Sequence, residues 1–282
     1  MTVKIVADSV SDLPPEVVKD LGITIVPLSV RLGEAVYRDG IDITAEEFYG
    51  KLAGSKVQPF TSAPTPGAFT GAYDKLAEEA DGILVVTVSA RLSATHEAAV
   101  QGIEAMRRKC RVEVVDSQWA VMAQGFIAME AARAAQAGAG LDEVAGIARS
   151  NISRVEMLVA FDTLEYLRRG GRIGKAQALL GSMLKVNPMI TMKDGVVEPA
   201  GRTRSRAKAV DHLYEHVVSY AAVEEIAVEN GACPDEADEL AKRLGAKFPG
   251  QRIYCSRTTP VIGAHTGPGA LLVAIRGDKQ KP

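Results

Sequence analysis

The chain has 282 residues, 47% of them apolar, so it is long enough for two domains with substantial cores. Its 33 basic and 35 acidic residues give a formal net charge of −2, which excludes a global positive field for nucleic acid or an anionic membrane. Three widely separated cysteines without a CxxC pair argue against a disulfide framework and a zinc site, and they favour a reducing cytoplasm.

The first residues enter a strand pattern directly, without a basic segment followed by a long apolar one. No apolar run approaches the roughly 20 residues that span a bilayer. We therefore expect neither export nor membrane insertion.

The first half of the chain alternates β-rich and helical stretches, which predicts a parallel sheet with helices on both faces. The predicted strands are residues 3–7, 23–30, 83–88 and 112–115, and the helices that follow them cover 14–20, 44–52, 93–109 and 118–136. Thr44 and Glu47 have the spacing of a capping box. Residues 120–135 are apolar on nearly every side, so we expect that helix to be buried.

The pattern changes around residues 137–155, where a further amphipathic helix begins. Beyond it, the predicted strands are 156–161, 189–192, 196–198, 226–228, 252–254 and 271–275, and the predicted helices lie within 163–184, 205–220 and 234–244. The Asp194-Gly195 turn favours an antiparallel pair of strands. We predict an α/β protein with a parallel domain over 1–155 and a mixed or antiparallel α/β domain over 156–282, with the ligand between them.

Two hydroxyl-rich loops lead into helices. One spans residues 61–67 and precedes a helix that Pro66 can open, and the other spans residues 89–96 after an apolar strand. The first N–H groups of a helix lack partners and carry partial positive charge, so hydroxyls beside them could help to hold a carboxylate or phosphate. The candidate donors are Thr61, Ser62, Thr65 and Ser93. The alternative is that these residues only cap helices.

A histidine lies in a loop rich in Gly and Pro, residues 261–269, just before the last predicted strand. Glycines allow the backbone to approach a ligand closely, and a loop histidine among them has no packing role, so we predict that His265 is functional. His212 and His216 have i, i+4 spacing, but no third ligand is in view and we predict no metal site. His96 is expected to be an exposed helix residue.

Basic residues cluster at 168–175 and at 202–206, which suits a phosphate or an acidic partner surface; a solvated face is the alternative. The first cluster is not a P-loop. Ala176 stands where that motif needs Ser or Thr, and Arg169 stands where it needs Gly.

Taken together, these motifs resemble the DegV family of fatty-acid-binding proteins, and the resemblance covers the whole chain. The segments that carry it are VADSVSDLP from residue 6, TSAPT from 61, LSAT from 92, VDS from 115, LRRGGRIGK from 167 and GAHTGPG from 263. Ala63, Ala94 and residues 186–188 depart from the family's commoner residues.

The resemblance implies an apolar tunnel for a long-chain fatty acid, with the acyl-chain pocket in the second domain. It implies that the carboxylate is hydrogen-bonded by a Thr, a Ser and a His. The fatty-acid-binding residues would be Thr61, Ser62, Ser93, Ala94, His265 and Thr266. Neither a cofactor nor a metal is implied.

The resemblance also implies that the protein is not itself an enzyme. As the lipid-carrying subunit of a bacterial fatty acid kinase, which serves phospholipid synthesis, it would present the fatty acid to a separate ATP-dependent kinase subunit for acyl-phosphate formation. Arg169, Arg172 and Arg202 resemble the docking surface for that partner.

The residues leave two other classes open. Ser93 or Thr61 as a nucleophile with His265 as base would make an acyl or phosphoryl hydrolase or transferase, although there is no G-x-S-x-G elbow and no acid is clearly placed to orient His265. A nucleic-acid module using the arginines would need a positive field that the composition lacks.

Overall fold

The structure is a computed structural model that describes residues 2–54, 57–180 and 186–279. In chain order its strands are β1 (Val3–Asp8), β2 (Thr24–Val26), β3 (Ser29–Leu32), β4 (Ala35–Arg38), β5 (Phe60–Ser62), β6 (Gly82–Thr87), β7 (Arg111–Asp116), β8 (Val155–Ala160), β9 (Asn187–Lys193), β10 (Val196–Thr203), β11 (Tyr220–Asn230), β12 (Ile253–Arg257) and β13 (Leu271–Lys279). Its α-helices are α1 (Pro15–Leu21), α2 (Ala45–Ala53), α3 (Pro66–Leu76), α4 (Thr95–Glu104), α5 (Val121–Gln136), α6 (Leu141–Asn151), α7 (Glu165–Arg169), α8 (Arg206–Val218), α9 (Pro234–Lys247) and α10 (Pro260–Thr266).

The N-terminal sheet is parallel, with the strand order β2-β1-β6-β7. Strand β6 is buried along its whole length, as expected for a central strand that is covered on both faces. The predicted parallel α/β arrangement is therefore confirmed. The predicted capping box is also present, because Thr44 and Glu47 bond each other's backbone at the start of α2.

A second sheet of six strands has the order β10-β9-β8-β13-β11-β12, and β11 and β12 are its one parallel pair within the residues that the structure describes. The predicted hairpin is present between β9 and β10. Its turn residues Asp194 and Gly195 both have positive φ, which favours a tight hairpin connection. This mixed sheet confirms the fold class predicted for the second half.

The two faces of the six-stranded sheet belong to different cores. Leu158 and Val273 pack with α8 and α9 on the outer face. Met157, Val159 and Leu272 point the other way and share a core with α5 and the N-terminal sheet. Because successive residues of a strand alternate between faces, β8 contributes to both cores. The inner face is therefore the one that meets the first half of the chain.

Helix α5 lies between the two sheets, and 11 of its 16 residues are buried, as its apolar sequence predicts. It packs against β1, β6, β8 and β13. Gly125 is needed at this crossing, because a Cβ there would lie 2.8 Å from the Ser11 carbonyl oxygen. None of the described helices is both long and apolar enough to cross a membrane.

The prediction of one strand over 23–30 was wrong. Pro27 lacks the N–H that would continue a ladder, so the segment divides into β2 and β3, which belong to different sheets. Strand β3 pairs with β4 and β5 in a small antiparallel sheet that the sequence analysis missed. Thr61 and Ser62, predicted to lie in a loop, are therefore strand residues.

Two helix predictions also need correction. Helix α4 covers less than the predicted 93–109, because residues 89–94 form turns ahead of it. The helical stretch predicted over 163–184 consists of the short α7 and a 3-10 helix at Gly174–Leu179, and residues 181–184 of that prediction lie outside the described ranges.

Candidate functional site

An apolar cavity lies between the inner face of the six-stranded sheet and the loops of the N-terminal half. Within the described ranges, the cavity is lined by aliphatic, methionine and phenylalanine side chains, except at one small cluster of polar residues. The polar lining residues are Thr61, Ser93, Arg172, His265 and Thr266. Ala94 also lines the cavity, so five of the six residues predicted to bind the fatty acid face one space.

Ser62 is the one predicted fatty-acid-binding residue that is not among the described residues lining the cavity. In strand β5, Thr61 is opposite the fully buried Val30 and points inward, whereas Ser62 is exposed. The alternation of side chains along a strand explains the difference. The loop that the sequence predicted here would not have fixed opposite orientations for the two side chains.

The histidine lies near the end of a short helix, not in a loop as predicted. Helix α10 has Pro260 at its first position and ends at Gly267, whose φ of +72° an L side chain rarely adopts. Pro260 and Gly267 are both visible in the sequence as signals for the start and end of a helix. The helix was missed because it has only seven residues and lies among glycines. A Cβ at Gly267 would also lie 2.3 Å from the Tyr166 ring.

The imidazole of His265 is hydrogen-bonded to Thr61, with 2.8 Å between Nε2 and Oγ1. Its other nitrogen, Nδ1, is buried and has no hydrogen-bond partner among the residues that the structure describes. A bare acceptor tolerates this better than a buried N–H does. We therefore assign the proton to Nε2, which donates to Thr61 and leaves the hydroxyl hydrogen of Thr61 available for a ligand.

The histidine is neutral at physiological pH. Burial, with a smaller contribution from the positive charge of Arg172, lowers the pKa of His265 to about 4. The ring also depends on Gly170, because a Cβ at that position would lie 2.3 Å from Nδ1. The site is thus fitted around an uncharged imidazole.

Buried carboxylates hold the opposite end of α10. The N–H of Thr259 donates to Asp12 (3.2 Å) and the N–H of Val261 donates to Asp39 (3.3 Å). Glu229 hydrogen-bonds Asp12 and also accepts from the N–H of Met122 at the start of α5 (3.1 Å). These bonds connect α10 and β11 to the N-terminal half.

Burial raises the pKa of Asp12 to about 7 and that of Asp39 to about 6. Burial and the neighbouring Asp12 raise the pKa of Glu229 well above its ordinary value. Glu229 and Asp12 therefore share a proton at neutral pH. Nothing local in the sequence indicates that Asp12 bonds the start of a helix some 247 residues away.

Ser93 lies at the entry to α4. Its hydroxyl is 2.8 Å from the Thr95 hydroxyl and accepts the N–H of Thr95 (3.3 Å). Ala94 occupies the N-cap position, where its side chain makes no capping bond. The same loop is attached to the β9–β10 hairpin, because the Ser89 hydroxyl donates to the carbonyl oxygen of Gly195 (2.8 Å).

Arg172 lies at the cavity rather than on a remote surface. Its Nε donates to the carbonyl oxygen of Leu92 (3.1 Å) and its Nη1 donates to that of Gly170 (2.7 Å). A guanidinium has five N–H donors, so three remain for other acceptors. The side chain is exposed, and its positive charge acts on His265.

The other two arginines predicted to dock a partner occupy different environments. Arg169 donates to Glu165 (2.6 Å), which also pairs with Arg168. Arg202 is exposed on β10 and lines a surface groove of mixed charge, together with Arg204, Lys208, Asp211 and Glu215. That these arginines receive a partner stays a prediction.

The geometry does not favour a hydrolase. A general base works best with a pKa near the operating pH, and that of His265 is about 4. In the described ranges no carboxylate orients its Nδ1. The same ranges hold no group of three or more His, Cys, Asp or Glu arranged for a metal ion, and the His216 ring packs edge-to-face against the Tyr220 ring.

Comparison with known proteins gives matches along the whole chain. A family profile described as an uncharacterised protein of the DegV family matches residues 2–277. A DegV domain-containing protein of Streptomyces coelicolor is 42% identical over 278 residues, covering 97% of this chain and 98% of the relative.

Solved structures with this fold include several described as binding fatty acids. A DegV family protein from Thermus thermophilus, described by its fatty acid binding, has a TM-score of 0.90 and 33% identity, with 98% of this chain and 100% of that chain covered. DegV from Bacillus subtilis, described as a fatty acid binding protein, has a TM-score of 0.90 and 29% identity, with 99% and 100% covered. A stearic acid-binding protein from Eubacterium ventriosum has a TM-score of 0.85 and 27% identity, with 97% and 98% covered.

Proposed function

The chain belongs to the DegV family, as its motifs predict, and we propose that it binds a long-chain fatty acid with the carboxylate at Thr61, Ser93 and His265. The observation that carries this proposal is the bond between Thr61 and His265 at the polar end of an otherwise apolar cavity. An amphiphile with one small polar group and a long tail matches that distribution of side chains.

The polar end supplies what a buried carboxylate needs. A carboxylate is costly to bury unless hydrogen-bond donors replace its water. The hydroxyl hydrogens of Thr61 and Ser93 are suited to donate, and His265 orients Thr61 by donating to it. Arg172 adds a positive charge at the mouth, which favours the ionised acid over a neutral lipid.

The acyl chain is held by burial alone. Each buried CH₂ contributes about 0.8 kcal/mol, so a long chain gains on the order of 10 kcal/mol before the costs of ordering are subtracted. No polar side chain is required along the tail, which agrees with the aliphatic lining of the cavity.

The bound carboxylate is presented to a separate ATP-dependent kinase subunit. That subunit transfers the γ-phosphoryl group of ATP to a carboxylate oxygen, and acyl-phosphate and ADP result. The neutral His265 suits a carrier rather than a catalyst. Arg169, Arg172 and Arg202 form the partner surface, and the unpaired cysteines suit the cytoplasm, where ATP is present.

Native mass spectrometry of protein purified without added lipid tests the binding proposal. We expect an added mass equal to that of one fatty acid, which disappears on denaturation. Apo protein that also fails to bind added palmitate or oleate would contradict the proposal. A p-nitrophenyl ester assay on the same sample should show no turnover; turnover that Ser93→Ala abolishes would instead identify a hydrolase.

The partner proposal needs its own test. Arg202→Glu should leave palmitate binding intact and reduce acyl-phosphate formation when a cognate ATP-dependent kinase is added. Equal loss of both activities would assign Arg202 to the lipid site, and no loss of either would remove it from the partner surface.

A further inference from the structure

The inner face of β8 carries one row of side chains that lines the cavity. Phe161, Val159 and Met157 all belong to it. They are spaced two residues apart along an extended chain, so the row is about 13 Å long. Positions along this row therefore show how far an acyl chain extends into the cavity.

The polar end of the cavity lies beside the Phe161 end of this row. The segment that follows β8 packs closely on α10 and on the residues after it, as three tight glycine contacts indicate. A Cβ at Gly170 would meet His265, one at Gly267 would meet Tyr166, and one at Gly269 would meet Asp162, each at 2.3 Å. The row Phe161–Val159–Met157 accordingly leads away from the carboxylate site.

The row ends at Met157. Val155, the next residue on the same face, is buried in the core and is not among the described residues that line the cavity. On the neighbouring strand β13, Leu272 lines the cavity beside Val159, whereas Ala274, opposite Met157, is not part of the described lining.

A second methionine lies level with the first. Val159 pairs with Ile190 and Ala160 with Met189, and the same register continued by two residues brings Met192 opposite Met157. The hydroxyl of Thr191 donates to the carbonyl oxygen of Met157 (2.7 Å), which agrees with that register. Met192 in turn pairs with Val197, and all three of Met157, Met192 and Val197 line the cavity.

We propose that Met157 and Met192 form the far wall of the acyl cavity and set the length of the fatty acid that the protein accepts. This inference rests on the proposed function. Methionine is unbranched and flexible, so the wall can re-pack around chains that differ by a few carbons. The protein would then prefer a range of chain lengths with a soft upper limit rather than one acid.

Competition among laurate, myristate, palmitate, stearate and arachidate, measured by native mass spectrometry, tests the proposal. Met157→Ala and Met192→Ala should each move the preferred acid toward longer chains by roughly two to four carbons, since each newly buried methylene is worth about fourfold in affinity. Met157→Phe should do the opposite and weaken the longest acids most.

Met189→Ala is the matched control. Met189 lies on the same strand but packs into the outer core, so its loss should lower stability and leave the chain-length profile unchanged. If an alanine variant does not fold, Met192→Leu keeps the volume but shortens the reach, and it should shift the profile in the same direction by a smaller factor.

The two proposals fail in different ways. A wild-type protein that binds none of the acids would overturn the proposed function and this inference with it. A wild type that binds them, with folded variants at 157 and 192 whose profiles match the wild type, would overturn only the far-wall assignment.

Discussion

The two ends of helix α10 differ in the polar groups that surround them. At the N-terminal end, Asp12 and Asp39 accept from backbone N–H groups and are almost fully buried. At the other end, His265 and Thr61 bond each other, and the described residues offer no carboxylate there. The protein supplies its own acids at the end of α10 that it fixes in place, and the other end offers hydroxyl donors where we propose that a ligand's carboxylate binds.

This difference shows how a seven-residue helix can hold His265 in a fixed position. Such a short helix has little stability of its own, so its position must come from tertiary bonds. Asp12, Asp39 and the close packing against α7 supply them. His265 is therefore held in position although its imidazole is neutral and its Nδ1 has no hydrogen-bond partner among the described residues.

The largest effect is expected from Gly170→Ala, which should disturb the contact between His265 and Thr61 and leave the bonds of Asp12 and Asp39 to α10 unchanged. Gly170 has an ordinary helical backbone, so alanine is tolerated locally, but its Cβ would lie 2.3 Å from Nδ1 and push His265 away from Thr61. We expect palmitate affinity to fall about 100-fold, or roughly 3 kcal/mol. Isothermal titration calorimetry measures it.

Gly171→Ala controls for backbone effects. Gly171 has a φ of +70° and open space around a Cβ, so alanine there should cost about 1 kcal/mol of stability and leave affinity unchanged. Wild-type affinity in Gly170→Ala would show that the imidazole position does not matter for binding.

Thr61→Val should come next, with a loss of about 1.5–2.5 kcal/mol in binding, or roughly 10- to 70-fold. The substitution removes the donor to the carboxylate and the partner of His265 while keeping the shape. Thr65→Val is the control in the same segment, because its hydroxyl caps α3 by accepting the N–H of Ala68 (3.2 Å). That variant should lose about 1 kcal/mol of stability and no affinity. Equal affinities for the two variants would contradict the assignment of Thr61.

The acidic end can be probed by combining pH with a substitution, because the buried Asp8 at the end of β1 also has a pKa raised to about 7. Because the folded-state pKa values of Asp12 and Glu229 are raised, the folded protein holds protons that the unfolded chain releases. The stability from these protons is complete below about pH 4 and is lost as pH rises through about 7. His265 acts in the opposite sense, because its lowered pKa costs stability as pH falls below about 6.5.

Above about pH 6.5, where His265 no longer opposes them, the free energy of unfolding should therefore fall as pH rises, by up to about 1.4 kcal/mol per pH unit for each of these carboxyls that is still protonated in the folded protein. Glu229→Gln removes one titrating group and should flatten this slope, while lipid affinity at pH 7 stays near that of the wild type. Urea unfolding at several pH values measures it. A slope unchanged by Glu229→Gln would mean that the pair does not share a proton.

The two ends of α10 differed in how far the sequence could predict them. Thr61, Ser93 and His265 stand in short polar motifs amid apolar segments, so they could be found without knowing the fold. Asp12 and Asp39 could not, because their partners lie hundreds of residues away and depend on how the two halves meet. For the same reason the sequence did not place Arg172 at the cavity, because its bond to the Leu92 carbonyl oxygen joins residues 80 positions apart.

The smallest effect is expected from Ser93→Ala. The serine hydroxyl has two tasks, since it accepts the N–H of Thr95 and is available to donate to the carboxylate. Losing the first should cost about 1 kcal/mol of stability. Losing the second should weaken binding by about 1.5 kcal/mol, or roughly tenfold, because Thr61 can still donate to the headgroup and Arg172 still offers it a positive charge. Measuring both the melting temperature and palmitate affinity separates the tasks: a lower melting temperature with unchanged affinity would leave Ser93 as a helix-entry residue only, and the ligand end of α10 would then depend on Thr61 and Arg172.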